Sequence, residues 1–377
     1  MPHLLVFSND PLKAYVEKGE IKERYYNPGD FFDRVTIFTP CDEDVSPDQV
    51  GGIAGSAEVA VVPVGSMKNL KKLCAISREE QRVVDLARSF KPDIIRAFNP
   101  RFEGRFAVAA GKALGVPSVI SLHADFSRRR LFRVEGLACA KSLLYSTVFR
   151  FCTEKRSYSR ADAVIGAYAF TLRYFEDFPV RHREVIYNKV YAPPHPGVAK
   201  PKDFTIISVG RHIPGKDPRP LIRALSGTPY RLILIGQGPL TQASQDLAKK
   251  LKVLGQVDFI PSVPNRDILP WYQGAHVFSM AMLYGGTSIP MLEAMACRLP
   301  LVLARPLWEE APEAIGEDAL LVEHTPEAFR EAFRKLQENP EYARELREKA
   351  WERFWPLRGE EMERREAELY RGLLQGS

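Results

Sequence analysis

Short apolar runs alternate with helical patterns along the first half of the chain. The runs are rich in Val and Ile, and the segments between them place hydrophobic residues at helical spacing. Continuous apolar strands that alternate with helices are typical of a parallel sheet covered on both faces. The pattern predicts helices over 79–90 and 104–115 and six strands, HLLVFS, RVTIFT, EVAVVPV, DIIRAF, SVISLH and DAVIGA.

A proline-rich segment with few apolar residues then interrupts the alternation. It extends through EVIYNKVYAPPHPGVAKPKDF and predicts a linker, with a domain boundary near 192–203. At 377 residues the chain is also too long for one ordinary α/β core. We therefore expect one domain over 1–195 and a second over 196–356.

The second half repeats the strand and helix pattern of the first. Helices are expected over 326–337 and 340–353, and a last helix at about 357–374 follows the break at Trp355-Pro356. The strands expected in this half are TIISVG, YRLILIG, QVDFIP, HVFSMAM, LPLVLA and ALLVE. The fold class is therefore α/β, with one parallel sheet in each domain.

The loop after TIISVG has the residues of a phosphate site. Gly210 ends the strand, Arg211 and Lys216 flank the loop RHIPGKDPRP, and Asp217 before Pro218 is a helix-start signal. Two cations beside the N–H groups of a helix N-terminus suit a phosphate. The alternative is that both are ordinary solvated loop charges. Neither a Walker motif nor G-x-G-x-x-G occurs, which argues against a P-loop and a standard dinucleotide site.

The stretch MLYGGTSIPMLEAMACRLPLV joins a Gly-Gly turn to a helix that is apolar on every side. Ser288 suits the N-cap, Pro290 suits the first turn, and Glu293 is the one charge in the helix. The turn lets backbone N–H groups face an anion, and a buried carboxylate needs a hydrogen-bonding partner. Glu293 is therefore held by an internal Arg or backbone donor, or it binds a ligand that has phosphates and hydroxyls.

Two polar residues follow the strand SVISLH in the first half. His123 and Asp125 lie just past its carboxyl end, at the edge where ligands bind in parallel sheets. A functional role and a capping or structural role are both open for His123.

Composition indicates the compartment and argues against a metal site. The chain is 45% hydrophobic and 27% charged, as in globular proteins, and has no apolar run of the roughly eighteen residues that a membrane span needs. Its five cysteines are scattered without C-x-x-C, which argues for a reducing cytosol and against structural zinc. The cluster Asp42-Glu43-Asp44 lies in a loop of the first domain. We expect a cytoplasmic protein with no cofactor and no metal.

The basic residues are concentrated in one segment. Residues 101–200 hold 17 Lys and Arg against 8 Asp and Glu, and the excess lies in 126–160, where a long helix is expected. Such a patch suits an acidic substrate, an anionic membrane surface or nucleic acid, and a solvated helix face is the alternative. No nucleic-acid-binding motif accompanies it. We expect peripheral contact with the inner face of the membrane and no nucleic-acid partner.

Four motifs stand in the order and spacing of one family over roughly 204–305. They are ISVGRHIPGKD, LILIGQGPL, VDFIPSVPNRDILPWYQGAHVF and GGTSIPMLEAMACRLPLV, with weaker echoes in KPDIIRAF, GVPSVISLH, ADAVIGAYAF and VIYNKV. The chain resembles the retaining GT-B glycosyltransferases of family 4, the glycosyl transferases group 1. The resemblance covers most of the chain and implies a GT-B fold, in which two Rossmann-like domains have parallel sheets facing across a cleft.

The resemblance also implies a role for each candidate residue. Arg211 and Lys216 would act as catalytic cations on the donor diphosphate, Glu293 would hold the ribose hydroxyls, and His123 would act near the transferred sugar. The N-terminal domain would bind the acceptor, and the last helix would pack back onto it. Further contacts are implied with the donor for Gly210, Val263, Gly286, Thr287, Ser288 and Ile289, and with the acceptor for Asp125 and Asn188.

The implied reaction transfers a sugar from a nucleotide-diphosphate sugar, with retention of configuration and without a metal. A UDP-sugar is favoured and a GDP-sugar is next, and the acceptor is a glycan, a lipid-linked or a small molecule. The family's Glu-x7-Glu motif has Gly285 at its first position here, and the Gly-rich loop after the first strand is missing. A non-catalytic homologue that binds nucleotide or glycan, or supports a partner enzyme, is therefore the alternative. Intact Arg211, Lys216 and Glu293 argue against it.

Overall fold

The chain divides into two compact units, Met1–Lys189 with Met362–Ser377, and Val190–Glu361. The expected boundary at 195/196 lies a few residues after this division. Lys189 belongs to the first unit because its buried Nζ donates to two backbone carbonyls of that unit, at 3.1 and 3.2 Å. The computed structural model describes residues 2–65, 75–123, 153–176, 178–193, 198–283, 287–306 and 316–376.

The first unit contains a sheet of seven parallel strands. Its strands are β1 His3–Phe7, β2 Arg34–Thr39, β3 Glu58–Pro63, β4 Ile94–Ala97, β5 Ser118–Leu122, β6 Ala163–Gly166 and β7 Arg183–Val185. The order is β3-β2-β1-β4-β5-β6-β7. Every residue of β1, β4, β5 and β6 is buried, as the continuous apolar runs predicted. The sequence pattern missed β7, because this short edge strand consists mainly of charged residues.

Helices accompany this sheet, and those expected over 79–90 and 104–115 are confirmed. The second of these ends at Gly115, which has a left-handed φ of 72° and serves as the C-cap. Only the end of the basic segment 126–160, from 153 onward, lies within the described residues. The helices are α1 Leu12–Lys18, α2 Pro47–Val50, α3 Ala75–Phe90, α4 Phe102–Leu114, α5 Lys155–Arg160 and α6 Leu172–Phe175.

The second unit contains a sheet of six parallel strands, all of them expected from the sequence. The strands are β8 Thr205–Val209, β9 Arg231–Ile235, β10 Val257–Ile260, β11 Val277–Met280, β12 Leu301–Ala304 and β13 Leu320–Val322, in the order β10-β9-β8-β11-β12-β13. The helices are α7 Arg219–Ala224, α8 Thr241–Lys250, α9 Leu269–Gln273, α10 Ile289–Ala296, α11 Pro326–Glu338 and α12 Pro340–Phe354. The strand order reverses between β8 and β11, which makes their carboxyl ends the ligand-binding position in this kind of sheet.

The last helix, α13 Gly359–Gln375, enters the first unit at Met362. Its buried Glu366 pairs with Arg96 and with Lys189, whose Nζ lies 3.2 Å from Oε2. The Tyr370 hydroxyl donates to the other carboxylate oxygen at 3.0 Å. A buried carboxylate is tolerated only with such partners, so this network anchors α13. In the part of the chain that the structure describes, no helix is both long and apolar enough to span a membrane.

Candidate functional site

The loop that follows β8 has the geometry of an anion site. It begins at Gly210, where the chain turns with φ of +154°. The Lys216 backbone N–H donates to the Ile213 carbonyl at 2.8 Å, and Leu283 N–H, after β11, donates to the Gly215 carbonyl at 3.1 Å. The first bond closes a turn within the loop, and the second joins the loop to the segment that follows β11. The carboxyl ends of β8 and β11 thus form one site.

Positive charge is left uncompensated in this loop. Gly210, Arg211 and Lys216 line a small cavity together with residues from the end of β11. Among the described residues, neither cation has an ion-pair partner, because the adjacent Asp217 is engaged by Arg219, whose Nη2 lies 2.6 Å from Oδ2. Burial, and after it the charge of Arg211, lower the pKa of Lys216 to about 8. A buried ammonium with a lowered pKa gains most when an anion binds beside it.

A second glycine-rich loop holds the first one in place. Gly236 follows β9 with φ of +136°, and a Cβ there would lie 2.0 Å from the Gly210 carbonyl oxygen. A Cβ at Gly238 would likewise lie 2.4 Å from the His212 carbonyl oxygen. The His212 N–H donates to Gln237 O at 3.2 Å. The sequence showed this stretch only as a turn, and the close backbone contact could not be read from it.

The N-terminus of α10 adds polar groups at the same edge of the sheet. Ser288 is at the N-cap, as expected, but its side chain makes no capping bond. Pro290, two residues later, has no backbone N–H group. The Met291 N–H donates to the Ser288 backbone oxygen at 3.1 Å. The Ser288 hydroxyl is buried and has no hydrogen-bond partner among the described residues. Thr287 is also buried, Ile289 begins the helix, and the Gly-Gly turn that includes Gly286 lies outside the described residues.

Glu293 is buried within α10, with 7% of its surface exposed. The Tyr272 hydroxyl of α9 donates to its Oε2 at 2.8 Å. Burial and the Glu293 charge raise the pKa of Tyr272 well above its ordinary value, so Tyr272 keeps its proton as a donor. The sequence pattern suggested an Arg or a backbone donor and missed this tyrosine. Val263, half-buried, lies in the loop after β10 at the same edge of the sheet.

In the first unit, His123 lies directly after β5. Its ring stacks on Phe98 with 5.5 Å between centroids and an angle of 19°. Burial and the charge of Arg96 lower the pKa of His123 to about 4, against the opposite effect of a hydrogen bond with Asn188. His123 is therefore neutral at pH 7, and its buried Nε2 has no hydrogen-bond partner among the described residues. The structure brings His123 and Asn188 together, whereas Asp125 lies outside the described residues.

The basic segment is described only from 153 to 160. Within it, Arg156 Nη2 lies 3.1 Å from Glu80 Oε1. The other oxygen of the same carboxylate lies 2.5 Å from Nε of Arg105, in α4. These cations are therefore paired within the unit. The remainder of the expected membrane-contacting segment lies outside the described residues.

The second unit therefore offers two complementary groups at one edge of its sheet. Two neighbouring cations that have no ion-pair partner among the described residues are suited to a diphosphate, and a buried carboxylate held by a tyrosine is suited to hydroxyl groups. The first unit offers a neutral imidazole, which can exchange hydrogen bonds with hydroxyl groups without adding charge.

Two family models match the chain. The model described as Glycosyl transferases group 1 matches residues 195–353, and the model described as Glycosyl transferase 4-like domain matches residues 30–189. O-antigen chain mannosyltransferase B from Escherichia coli is 29% identical over 122 residues, which are 30% of this chain and 32% of that protein. The match thus spans about a third of the length of this curated relative.

Solved structures resemble the chain over nearly all of its length. Sucrose-phosphate synthase from Thermosynechococcus elongatus is 18% identical, with a TM-score of 0.75 and 100% of both chains covered. The Anabaena protein HepE, in complex with UDP and glucose, is 16% identical with a TM-score of 0.71, covering 97% of this chain and 98% of that chain. At these identities the likeness concerns the fold, and it agrees with the two Rossmann-like units expected from the sequence.

Proposed function

The chain belongs to the glycosyl transferases group 1 family and has the GT-B fold, and from this premise we propose that it transfers a sugar from a nucleotide-diphosphate sugar to an acceptor hydroxyl. The observation that carries the proposal is the pair Arg211 and Lys216, unpaired among the described residues and placed where β8 ends. A glycosyl donor loses a diphosphate, so its site requires fixed positive charge at this position.

The two cations act on the leaving group in this proposal. Negative charge develops on the diphosphate oxygen as the glycosidic bond breaks, and preorganised cations stabilise that state more than the ground state. The loop of Gly236 and Gly238 holds the backbone of the cation loop rigidly, so little reorganisation is needed. No metal is required in this scheme, because the positive charge comes from side chains.

Glu293 and Ser288 complete the donor site. The Tyr272 hydroxyl fixes the orientation of the Glu293 carboxylate, which would accept hydrogen bonds from the ribose hydroxyls. The buried Ser288 hydroxyl, with no partner among the described residues, would donate to a phosphate or sugar oxygen. Thr287, Ile289, Gly286 and Val263 remain further candidate contacts.

We favour a UDP-sugar as donor and place a GDP-sugar second. Support comes from HepE, which shares the fold and was solved in complex with UDP and glucose. The acceptor would be a glycan, a lipid-linked or a small molecule bound by the first unit, where neutral His123 and Asn188 would contact sugar hydroxyls. The curated relative named as an O-antigen chain mannosyltransferase is consistent with a glycan acceptor. Transfer with retention remains part of the proposal.

A non-catalytic homologue is the second candidate, because Gly285 replaces the first glutamate of the family motif. The two candidates differ in turnover. The homologue would bind nucleotide or glycan, or support a partner enzyme, and it would leave a nucleotide-sugar intact.

A thermal-shift panel of UDP, GDP, ADP and their sugars, with and without added Mg²⁺, tests the proposal. One nucleotide should raise the melting temperature of the wild-type protein, and Arg211→Ala should abolish that rise. Arg334→Ala, on the exposed face of α11, is the matched control and should retain it. Hydrolysis or transfer of the stabilising sugar then identifies an enzyme, and binding without turnover identifies the homologue. No stabilisation by any nucleotide would contradict the transferase and favour a homologue that binds a glycan or supports a partner enzyme.

A further inference from the structure

A larger basic cavity lies at the opposite edge of the second sheet. Phe204, His276 and Pro300 line it, and they directly precede β8, β11 and β12. Arg211 and Lys216, in contrast, lie after the carboxyl end of β8. Because β8 has five residues and a strand rises about 3.3 Å per residue, the two edges are roughly 15 Å apart. The cavity is therefore separate from the proposed donor site.

The lining of this cavity is cationic. Lys200, Lys202, Arg344 and Arg347 all contribute to it, and no Asp or Glu is among the described residues that line it. Each arginine has a neighbouring glutamate, and Arg347 Nε lies 3.5 Å from Glu348 Oε1. Neither lysine has an ion-pair partner within the part of the chain that the structure describes. Lys200 is exposed at the rim, and partial desolvation together with the charge of Arg347 lowers its pKa, as expected where positive charges lie close together.

Part of the lining is aromatic and carries a fixed hydrogen-bond donor. The rings of Phe204 and His276 stack with 5.3 Å between centroids and an angle of 29°. The Thr205 backbone N–H donates to His276 Nδ1 at 3.1 Å, so Nδ1 is unprotonated and the neutral ring carries its proton on Nε2. The pair thus combines a flat apolar surface with one N–H donor.

Helix α12 adds to the same preference for anions. It is 15 residues long and begins at Pro340, and its first turns supply Pro340, Ala343, Arg344 and Arg347 to the lining. The last turn of α11, which supplies Leu336 and Gln337, also lies at the cavity, so the two helix dipoles offset each other and the side chains supply the positive charge. The two lysines that precede β8 and the two arginines of α12 therefore line the same cavity.

We propose that this cavity binds a phosphate-bearing small molecule, with the lysines and arginines around the phosphate and the Phe204–His276 pair against its less polar part. The cavity volume is about 310 Å³, at the lower end of the roughly 300–1,000 Å³ typical of small-molecule sites. Lysine and arginine clusters without carboxylates are the usual phosphate sites of proteins. A soluble phosphate ester and a phospholipid headgroup present this same chemistry.

Calorimetric titration with pyrophosphate tests the proposal. The titration uses the full chain with Arg211→Ala and Lys216→Ala, which removes the proposed donor cradle. Adding Lys200→Ala and Lys202→Ala should weaken the remaining pyrophosphate affinity by about tenfold or more, since two charge-assisted bonds are lost. Arg334→Ala in the same background is the control and should have no effect. Both lysines are exposed at the rim, so the variant is expected to fold.

His276 gives a second readout within the cavity. A phosphate oxygen that accepts from the Nε2–H group should shift the His276 ring resonances in NMR, and the lysine variant should lose that shift. An unchanged pyrophosphate affinity in the lysine variant, or His276 resonances that do not respond, would overturn the proposal. This result does not depend on whether the donor site binds a nucleotide.

Vesicles distinguish the two sources of phosphate once pyrophosphate binding is established. Sedimentation with phosphatidylglycerol vesicles, compared between the wild-type protein and the lysine variant, identifies a lipid headgroup if the variant loses binding. Equal sedimentation of both proteins, or of neither, assigns the site to a soluble phosphate ester.

Discussion

Nucleotide binding should weaken as the pH rises above about 8, because Lys216 loses its proton there. Burial and the charge of Arg211 lower the pKa of Lys216 to about 8 in the unliganded protein. A diphosphate beside the ammonium favours the charged form and raises that pKa again. Binding at alkaline pH must therefore take up a proton, and the affinity for UDP falls with rising pH.

The size of the effect follows from the fraction of Lys216 that is protonated. With a pKa of about 8, the side chain is roughly nine-tenths protonated at pH 7 and roughly one-tenth at pH 9. The association constant should fall nearly tenfold between these values, which is about 1.3 kcal/mol. The stability of the unliganded protein should change in the opposite direction. The folded pKa lies below the unfolded value of 10.5, so this group makes stability rise with pH between about 8 and 10.5.

Calorimetry at pH 7, 8 and 9, in two buffers of different ionisation enthalpy, measures both the affinity and the proton uptake. Lys216→Arg stays charged throughout this range and should give a flat profile. Lys216→Met should bind weakly at pH 7 and also give a flat profile. A flat profile in the wild-type protein, or a pH dependence that survives in Lys216→Met, would refute the assignment of Lys216 to the diphosphate.

Three further substitutions test the donor site and the fold. Glu293→Gln should weaken nucleotide-sugar binding by about 1–3 kcal/mol in calorimetry, because a charged hydrogen bond is lost. An unchanged affinity together with a lower melting temperature would show that Glu293 has only a structural role. Gly236→Ala places a Cβ 2.0 Å from a backbone oxygen of the cation loop, so it should lower both the melting temperature and UDP affinity, while Gly255→Ala, in open space, should lower neither. Glu366→Gln should reduce the free energy of unfolding in urea by about 3–5 kcal/mol, because two buried cations lose their carboxylate. Glu368→Gln, on an exposed part of the same helix, should cost little, and equal losses in both would contradict the buried network.

The strands could be predicted wherever burial on both faces leaves a continuous apolar run. The segments that became β1 and β12 are examples, since nearly all of their residues are apolar. Strand β7 shows the limit of this signal. Its residues Arg183–Val185 are held in the sheet by pairing with β6, and their charged side chains are not diagnostic of a strand. Edge pairing of this kind depends on a neighbour that local sequence does not reveal.

The cation loop could be predicted because its residues follow a recognisable strand, but its supporting contacts could not. Tyr272 and Glu293 are 21 residues apart along the chain, and their hydrogen bond depends on how α9 packs against α10. The contact between Gly236 and Gly210 likewise depends on the pairing of β8 with β9. Both are long-range contacts with no periodic pattern. Sequence reasoning therefore identified the candidate ligand-binding groups and missed the residues that hold them in place.

The number of basic residues in a segment does not show whether they are free to bind an anion, because their ion-pair partners decide this. In the first unit, Arg105 and Arg156 share the carboxylate of Glu80, and Arg96 pairs with Glu366. The charges of these three cations are therefore already compensated by carboxylates of the same unit. The second unit has almost equal numbers of both signs, yet cations that have no carboxylate partner among the described residues line both of its cavities. Arg211 and Lys216 lie beside one cavity of that unit, and two lysines lie beside the other. A cation is available to an anionic ligand when no carboxylate of the protein pairs with it. Whether it has such a partner can be seen only in the three-dimensional structure. We therefore expect this chain to bind phosphate where cations without a carboxylate partner among the described residues line a cavity, rather than along the basic excess of 101–200.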